Sequence, residues 1–412
     1  MQKAVVYLCF ISALQGATVR IAETADGWRI LRDGKPFYVK GAVGDAHLDQ
    51  LRAAGANSVR IGAAGLDRAA ENGFMALAGL PLGIQRRGFD YEDPAQLEQQ
   101  RARIAAIVLQ YKDHPALLVW NIGNEPEIRT TEAQRRPMWQ EVDRLARLVK
   151  ELDPNHPVIA VIGGQYKQVL HEVKALCPSL DAIGLNSYQD MLTLPEDVAR
   201  EGWNRAYLVT EFGPRGHWQV SKTPWKVPIE DTSTEKAAFY EQAYRHAVSG
   251  QRQCLGSYVF YWSQKQEKTH TWYGMFLPDG SRTEAIDTMT RLWTGADPPN
   301  RCPKVSRIRC TPGGDTPQVH KPGTVLSCSV DASDPENDPL TVTWDLRPDK
   351  ADDPGVGGDY EPPVAPIVGA VTVKAGRATV QMPETPGNVR LFVYVHDGHG
   401  NAATANLPLS VE

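Results

Sequence analysis

The stretch LLVWNIGNEPE, residues 117–127, is apolar for four residues and then abruptly polar, with two Asn, a Gly and Glu125 crowded before Pro126. An unbroken apolar run with no polar alternation suits a strand covered on both faces, which is how parallel strands are buried in α/β folds. Working outward, similar short runs recur: PFYVKG, NSVRIG and LPLGI before it, then VIAVI, AIGLNSY, YLVTEF and SYVFYW after it, eight in all. Helical segments or loops separate them. Residues 94–111 carry Pro at the first turn and Leu97, Ile104, Ile107 and Val108 or Tyr111 at helical spacing. Residues 137–152 stop before Asp153-Pro154, and 233–249 start with a shifted capping-box pattern and end at Gly250. Eight strands alternating with helices predict a closed α/β core, the TIM (β/α)8 barrel, which needs about 250 residues. The second unit is the weakest, because GAAGLDRAAENGFMALAG offers only a short, glycine-broken helix.

Before the barrel, WRILRDGKPFYVKGAVG reads as a hairpin around Asp33-Gly34. The first 17 residues, with one Lys, an apolar run from Ala4 to Leu14 and then small residues, have the layout of a short secretory signal peptide; an apolar N-terminal strand is the alternative. That layout implies a secreted or periplasmic protein. No segment is expected to span a membrane. Beyond the barrel, taken as residues 18–296, the Pro/Gly/Asp-rich segment 297–303 reads as a linker. Residues 304–412 then show short alternating strands such as VLSCSVDA, LTVTWDL, ATVQM and VRLFVYVHDG, a pattern that predicts a small all-β, immunoglobulin-like sandwich. SDPENDPLTVTW and VYVHDGHGNAATANLPLSV resemble PKD-like and cadherin-like modules appended to secreted bacterial enzymes, which serve as spacers, partner docks or polysaccharide and cell-surface binders.

Composition narrows the partners. Forty-four basic and 49 acidic residues give a net charge of −5 with no basic stripe, which argues against nucleic acid. Ten Trp and 14 Tyr supply flat apolar faces suited to sugars, although most aromatics fill core. Of six Cys, Cys9 falls in the signal segment; Cys302, Cys310 and Cys328 are candidates to pair in an oxidising compartment, with one thiol left over and the connectivity open. No close Cys/His grouping suggests zinc, and the acidic turn of Asp334, Glu336 and Asp338 reads as a solvated loop, with calcium coordination the alternative, so neither metal nor organic cofactor is expected for the chemistry.

A (β/α)8 barrel presents its reactive groups at the C-terminal strand ends. Two of these ends carry glutamate: Glu125 after the fourth run and Glu211 in YLVTEFG, the seventh. A single strand-end Glu is ordinarily a helix-start neighbour or a surface ion pair. Two across one narrow mouth can act as nucleophile and acid/base on a glycosidic bond, at about 5 Å for retention or about 6.5–9.5 Å for inversion. WNIGNEP with the later VTEFG resembles the clan of barrel glycoside hydrolases whose acid/base follows strand four and whose nucleophile follows strand seven, most closely the family 2 catalytic domain, with kinship to family 5. The resemblance covers the barrel. It implies Glu125 as acid/base, Glu211 as nucleophile and Asn124 as the reader of a sugar 2-hydroxyl. It further implies Arg60 beside the nucleophile, Tyr188 hydrogen-bonded to it and Trp262 flooring the sugar subsite; Asn186 shares the strand end that leads to Tyr188. The loop aromatics His217, Trp218, Trp225, Trp272 and Tyr273 are sugar platforms or local packing, and Asp45 is expected to cap the first barrel helix.

The expected activity is that of a retaining β-glycosidase acting by double displacement on a β-linked glucan or similar polysaccharide. With only a hairpin before the barrel, the cleft is expected to be open, favouring endo action or transfer over the exo activities of full-length family 2 enzymes. A glucan-remodelling transglycosylase is the nearest alternative. A non-catalytic polysaccharide-binding barrel is the more distant one.

Overall fold

The computed structural model describes residues 18–164, 166–349 and 361–412. The segment read as a signal peptide lies outside them. Three antiparallel strands come first, β1 (Val19–Thr24), β2 (Gly27–Arg32) and β3 (Lys35–Phe37), with the expected turn at Asp33-Gly34 joining the last two. Ile30 and Val19 plug the N-terminal end of the barrel, sharing a core with Val39, Leu77, Val119, Ile159, Leu208 and Leu255. The sheet sits so close that a side chain on Gly27, at φ +107°, would meet the Arg252 carbonyl at 2.3 Å.

Eight parallel strands close the barrel: β4 (Val39–Val43), β5 (Ser58–Gly62), β6 (Met75–Leu80), β7 (Leu117–Ile122), β8 (Val158–Ile162), β9 (Ala182–Asn186), β10 (Tyr207–Phe212) and β11 (Cys254–Val259), with β11 returning to β4. The helices are α1 (Leu48–Ala53), α2 (Leu66–Glu71), α3 (Pro94–Tyr111), α4 (Glu132–Leu152), α5 (Tyr166–Leu176), α6 (Leu194–Arg200), α7 (Ser233–Ala247) and α8 (Glu284–Thr294). Their inner faces bury Leu51, Ile104, Leu145, Val169 and Ala243 against the outer strand residues. Each large aliphatic group removed from water this way contributes about 1.5–3 kcal/mol.

Local signals explain both the agreements and the corrections. Asp93 caps α3 ahead of Pro94, as the sequence indicates. The third strand is MALAGL, not LPLGI, which forms the loop after it; Met, Ala and Leu favour helices, and only their burial between β5 and β7 makes them a strand. Helix α4 starts five residues before Pro137, at a capping box of Thr131 and Gln134, and α7 is capped by Thr232 with Glu235. Asp45 does not cap α1: His47 holds that position, and Asp45 pairs with Arg68 at 2.9 Å.

The C-terminal strands form a two-sheet sandwich. A short strand after the barrel's last strand, β12 (Arg282–Thr283), is followed by β13 (Lys304–Val305), β14 (Arg309–Thr311), β15 (Gln318–His320), β16 (Val325–Ser329), β17 (Ala332–Ser333), β18 (Thr341–Pro348), β19 (Val371–Lys374), β20 (Arg377–Gln381), β21 (Gly387–His396) and β22 (Asn401–Val411). One sheet orders as β12-β22-β21-β18 with β15 also on β22, the other as β14-β16-β20-β19. Leu326, Val380, Leu346, Leu391 and Val393 are fully buried between them. Cys310 and Cys328 form a disulfide between β14 and β16. Among the described residues three thiols rather than one are left free, Cys177, Cys254 and Cys302, and all are buried. Among the described residues no helix is long and apolar enough to cross a membrane.

Candidate active site

Five strand ends converge at the C-terminal mouth. Arg60 comes from β5, Asn124 and Glu125 follow β7, Gly163 follows β8, Asn186 ends β9 with Tyr188 just beyond, and Thr210 and Glu211 lie on β10. After β7 the chain doubles back: Gly123 has φ +74°, Glu125 has φ +48°, and the Glu125 amide donates to the Val161 carbonyl at 3.0 Å. A non-glycine residue in the left-handed region costs of order 1–3 kcal/mol, so the surrounding bonds must hold it there. The Glu125 carboxyl then lies over Gly163, where a β-carbon would stand 2.9 Å from its Cδ.

One hydrogen-bonded network joins the two glutamates. Asn186 Nδ2 donates to Glu125 Oε1 at 2.8 Å and to Asn124 Oδ1 at 3.1 Å. Its Oδ1 accepts the Thr210 hydroxyl at 2.8 Å and Arg60 Nη1 at 3.3 Å. Arg60 Nη1 pairs with Glu211 Oε1 at 2.8 Å and also reaches the Thr210 carbonyl at 2.9 Å, while Nη2 donates to Asn124 Oδ1 at 2.5 Å. The Tyr188 hydroxyl donates to Glu211 Oε2 at 3.1 Å. Arg60, Asn124, Glu125, Asn186, Tyr188 and Glu211 are thus brought into one cluster.

The two carboxyls have different surroundings. Burial, reinforced by the negative charge of Glu211, pushes Glu125 up to about 7 against the opposing pull of Asn186, Arg60 and Arg86. Glu211 instead faces a guanidinium and a phenolic donor. Burial, and then the Glu211 charge, raise Tyr188 well above its ordinary value, which keeps its hydroxyl a donor. A carboxyl that holds its proton near neutrality, beside one fixed by a cation, is the division of labour that acid/base and nucleophile require.

The aromatic expectations divide. Trp218 is 50% exposed and meets Tyr188 edge-on at 5.5 Å, so it is available to a ligand. Trp262 does not floor the mouth: it is fully buried against Phe276 and Trp293, and its Nε1 donates to the His47 carbonyl. Trp272 is also buried, with Nε1 on the Arg215 carbonyl and Lys236 over its ring. The ring next to Tyr188 on the β11 side is Phe260, two residues before Trp262, centred 6.2 Å away. His217 and Tyr273 are packed behind Tyr188 and Trp218.

Sequence reading missed Thr210, Gly163 and Glu127. Thr210 stood in plain view in VTEFG, next to Glu211. Glu127, two residues beyond Glu125, is fully buried, its Oε1 accepting the Gly163 amide at 2.7 Å and its Oε2 without a hydrogen-bond partner among the described residues. Away from the mouth, the acidic turn brings Asp334 and Asp338 within 4.8 Å of Asp397, while Glu336 pairs with Arg301.

Comparison with known proteins bears on both fold and family. Residues 78–277 match the family described as "Glycosyl hydrolases family 2, TIM barrel domain". The match lies within the barrel, from β6 to the segment that follows β11. Over 151 residues the chain is 36% identical to "Probable mannan endo-1,4-beta-mannosidase F" of Aspergillus flavus, covering 31% of this chain and 32% of that protein. A β-glucuronidase of Bacteroides uniformis superposes with a TM-score of 0.51 at 14% identity over 96% of this chain and 48% of its own. A β-galacturonidase of Eisenbergiella tayi does so with a TM-score of 0.52 at 17% identity over 68% of this chain and 54% of its own. The structural likenesses concern the fold. The chain spans about half or less of the length of these proteins.

Proposed function

We propose that the protein is a retaining β-glycosidase that cleaves β-linked polysaccharide of the glucan or mannan type. The observation that carries this reading is the single network in which Asn186 and Arg60 tie Glu125, raised by burial and by the charge of Glu211, to a Glu211 that is paired with a guanidinium and a phenolic hydroxyl. In the first step a lone pair of Glu211 attacks the anomeric carbon as Glu125 passes its proton to the leaving oxygen. In the second, Glu125 takes a proton from water, whose oxygen displaces Glu211 from the same carbon. Arg60 and Tyr188 hold the attacking carboxylate in one orientation, and Asn124, exposed at the mouth, offers its side-chain amide to a sugar hydroxyl. The mannosidase relatives support a β-mannan as substrate alongside the glucans. Export belongs to the same proposal, supported by the Cys310–Cys328 disulfide, which persists in oxidising compartments. The test is a panel of β-glucans, β-mannans and β-galactans with detection of the product anomer. Release of the β-anomer by the wild type and its loss in Glu211→Gln are expected; full activity in that variant, or inversion, overturns the reading.

A further inference from the structure

The segment between β11 and α8, residues 260–283, belongs to two halves of the molecule at once. Its start carries Phe260 and Tyr261 at the mouth, and its middle carries Tyr273, whose ring packs on Tyr188 with centroids 5.7 Å apart. Tyr188 is the donor to Glu211. Its end, β12, is not a barrel element: Arg282 and Thr283 pair in parallel with Asn401 and Ala402 of β22, extending the sandwich sheet. The Arg282 amide donates to the Gly400 carbonyl, and its guanidinium grips Asn401.

The middle of the segment is clamped from the same side. His270 Nε2 and the Tyr394 hydroxyl of β21 are 2.7 Å apart, the His270 ring packs on Phe392, and Tyr394 reaches Asp345 of β18. Directly behind lies a buried polar knot, in which Glu230 accepts the hydroxyls of Thr269 and Thr271 and pairs with Lys236, whose ammonium also reaches the Thr271 carbonyl at 2.6 Å. Arg390 of β21, 1% exposed, donates to the Pro228 carbonyl just upstream of Glu230. Nor is the connection between the halves a loose tether, since Cys302 is buried and its amide donates to Asp287 of α8.

We infer that the C-terminal sandwich is a built-in clamp for the catalytic mouth: through Tyr394 and His270, and through β12, it fixes the loop that backs Tyr188, making these two side chains positioning residues for Glu211. A sandwich that served only as a spacer or a polysaccharide-binding module would have no need to contribute strand pairing and buried hydrogen bonds to a barrel loop. The inference rests on the glycosidase reading, because its consequence is the orientation of the nucleophile.

The experiment uses the full chain carrying Tyr394→Phe or His270→Gln, each of which removes one clamp contact and leaves β21 and β22 intact. Hydrogen exchange of residues 260–283, followed by mass spectrometry, is expected to accelerate in both variants while β7 and β10 stay protected. On a β-glycoside that the wild type turns over, kcat is expected to fall about tenfold or more with little change in KM, as for a misplaced catalytic group, and melting temperature to move by only a few degrees. Unchanged exchange in the loop overturns the clamp whatever the activity, as does accelerated exchange with wild-type kcat. If the wild type cleaves no β-glycoside, the functional reading fails separately, and loop exchange still decides whether the sandwich clamps the loop.

Discussion

Asn186 stands between the two glutamates, donating to Glu125 Oε1 at 2.8 Å and sharing Arg60 Nη1 with Glu211 through its own Oδ1. It sets the direction of Glu125 while leaning on the cation that holds Glu211. Replacing Asn186 with Ala strips a donor from Glu125 and leaves the Thr210 hydroxyl without its acceptor. Because the lost bond favoured the charged form, Glu125 moves further upward. We expect kcat/KM to fall about a hundredfold, and the alkaline limb of the pH profile to shift to higher pH. Steady-state kinetics across pH 5–9 check both; an unchanged limb would remove Asn186 from the control of Glu125.

The wild-type pH profile follows from the same carboxyl. Glu125 sits at about 7, so kcat/KM is expected to decline above that pH, about tenfold per unit once the proton is gone. Burial is the larger cause and the Glu211 charge the second, so neutralising that charge lowers Glu125 without restoring an ordinary carboxyl. Carbon-13 titration of the side-chain carboxyls in Glu211→Gln reads this directly. The Glu125 resonance should titrate below its wild-type midpoint but above 4.5, the ordinary value for Glu.

Gly163 gives the Glu125 carboxyl its seat. A methyl there would come within 2.9 Å of both Cδ and Oε1 of Glu125, closer than real contacts allow. Gly163→Ala is expected to push the carboxyl aside and lower kcat by about tenfold to a hundredfold, with little loss of melting temperature, since Gly163 does not occupy the left-handed region. Activity near wild type would mean that Glu125 has another stable orientation. Comparing kcat with a thermal melt of the same preparation separates the two effects.

How far these features were legible in the sequence depended on whether local composition and burial agreed. LLVWNI, VIAVI and YLVTEF were found to the residue, because runs buried on both faces leave no ambiguity of period. MALAGL was lost because its residues prefer helix and only its neighbours make it a strand. Glu125, Glu211, Arg60, Asn186 and Tyr188 were legible because strand ends in a barrel point to one place. Trp262 and Trp272 misled because a Trp near a strand end looks the same in sequence whether it faces a ligand or the core. Which way each ring turned was set by distant partners, Trp293 for one and Lys236 for the other.

Glu127 shows how a buried carboxyl can burden the fold. It is 0% exposed, and burial followed by the charge of Glu125 lifts it to about 8 from an ordinary 4.5. A carboxyl whose folded value lies above its unfolded value favours folding while protonated. Its contribution is complete below about 4.5 and is lost as pH rises through about 8. Glu127→Gln keeps an oxygen to accept the Gly163 amide and cannot ionise. The variant is therefore expected to melt above the wild type at pH 9, by an amount on the order of a few kcal/mol, and to lose that advantage at pH 5, where the buried side-chain amide finds no better partner than Oε2 had. Calorimetry at the two pH values decides the point. A constant difference between variant and wild type would mean that Glu127 carries the same charge at both, which its buried, half-satisfied setting argues against.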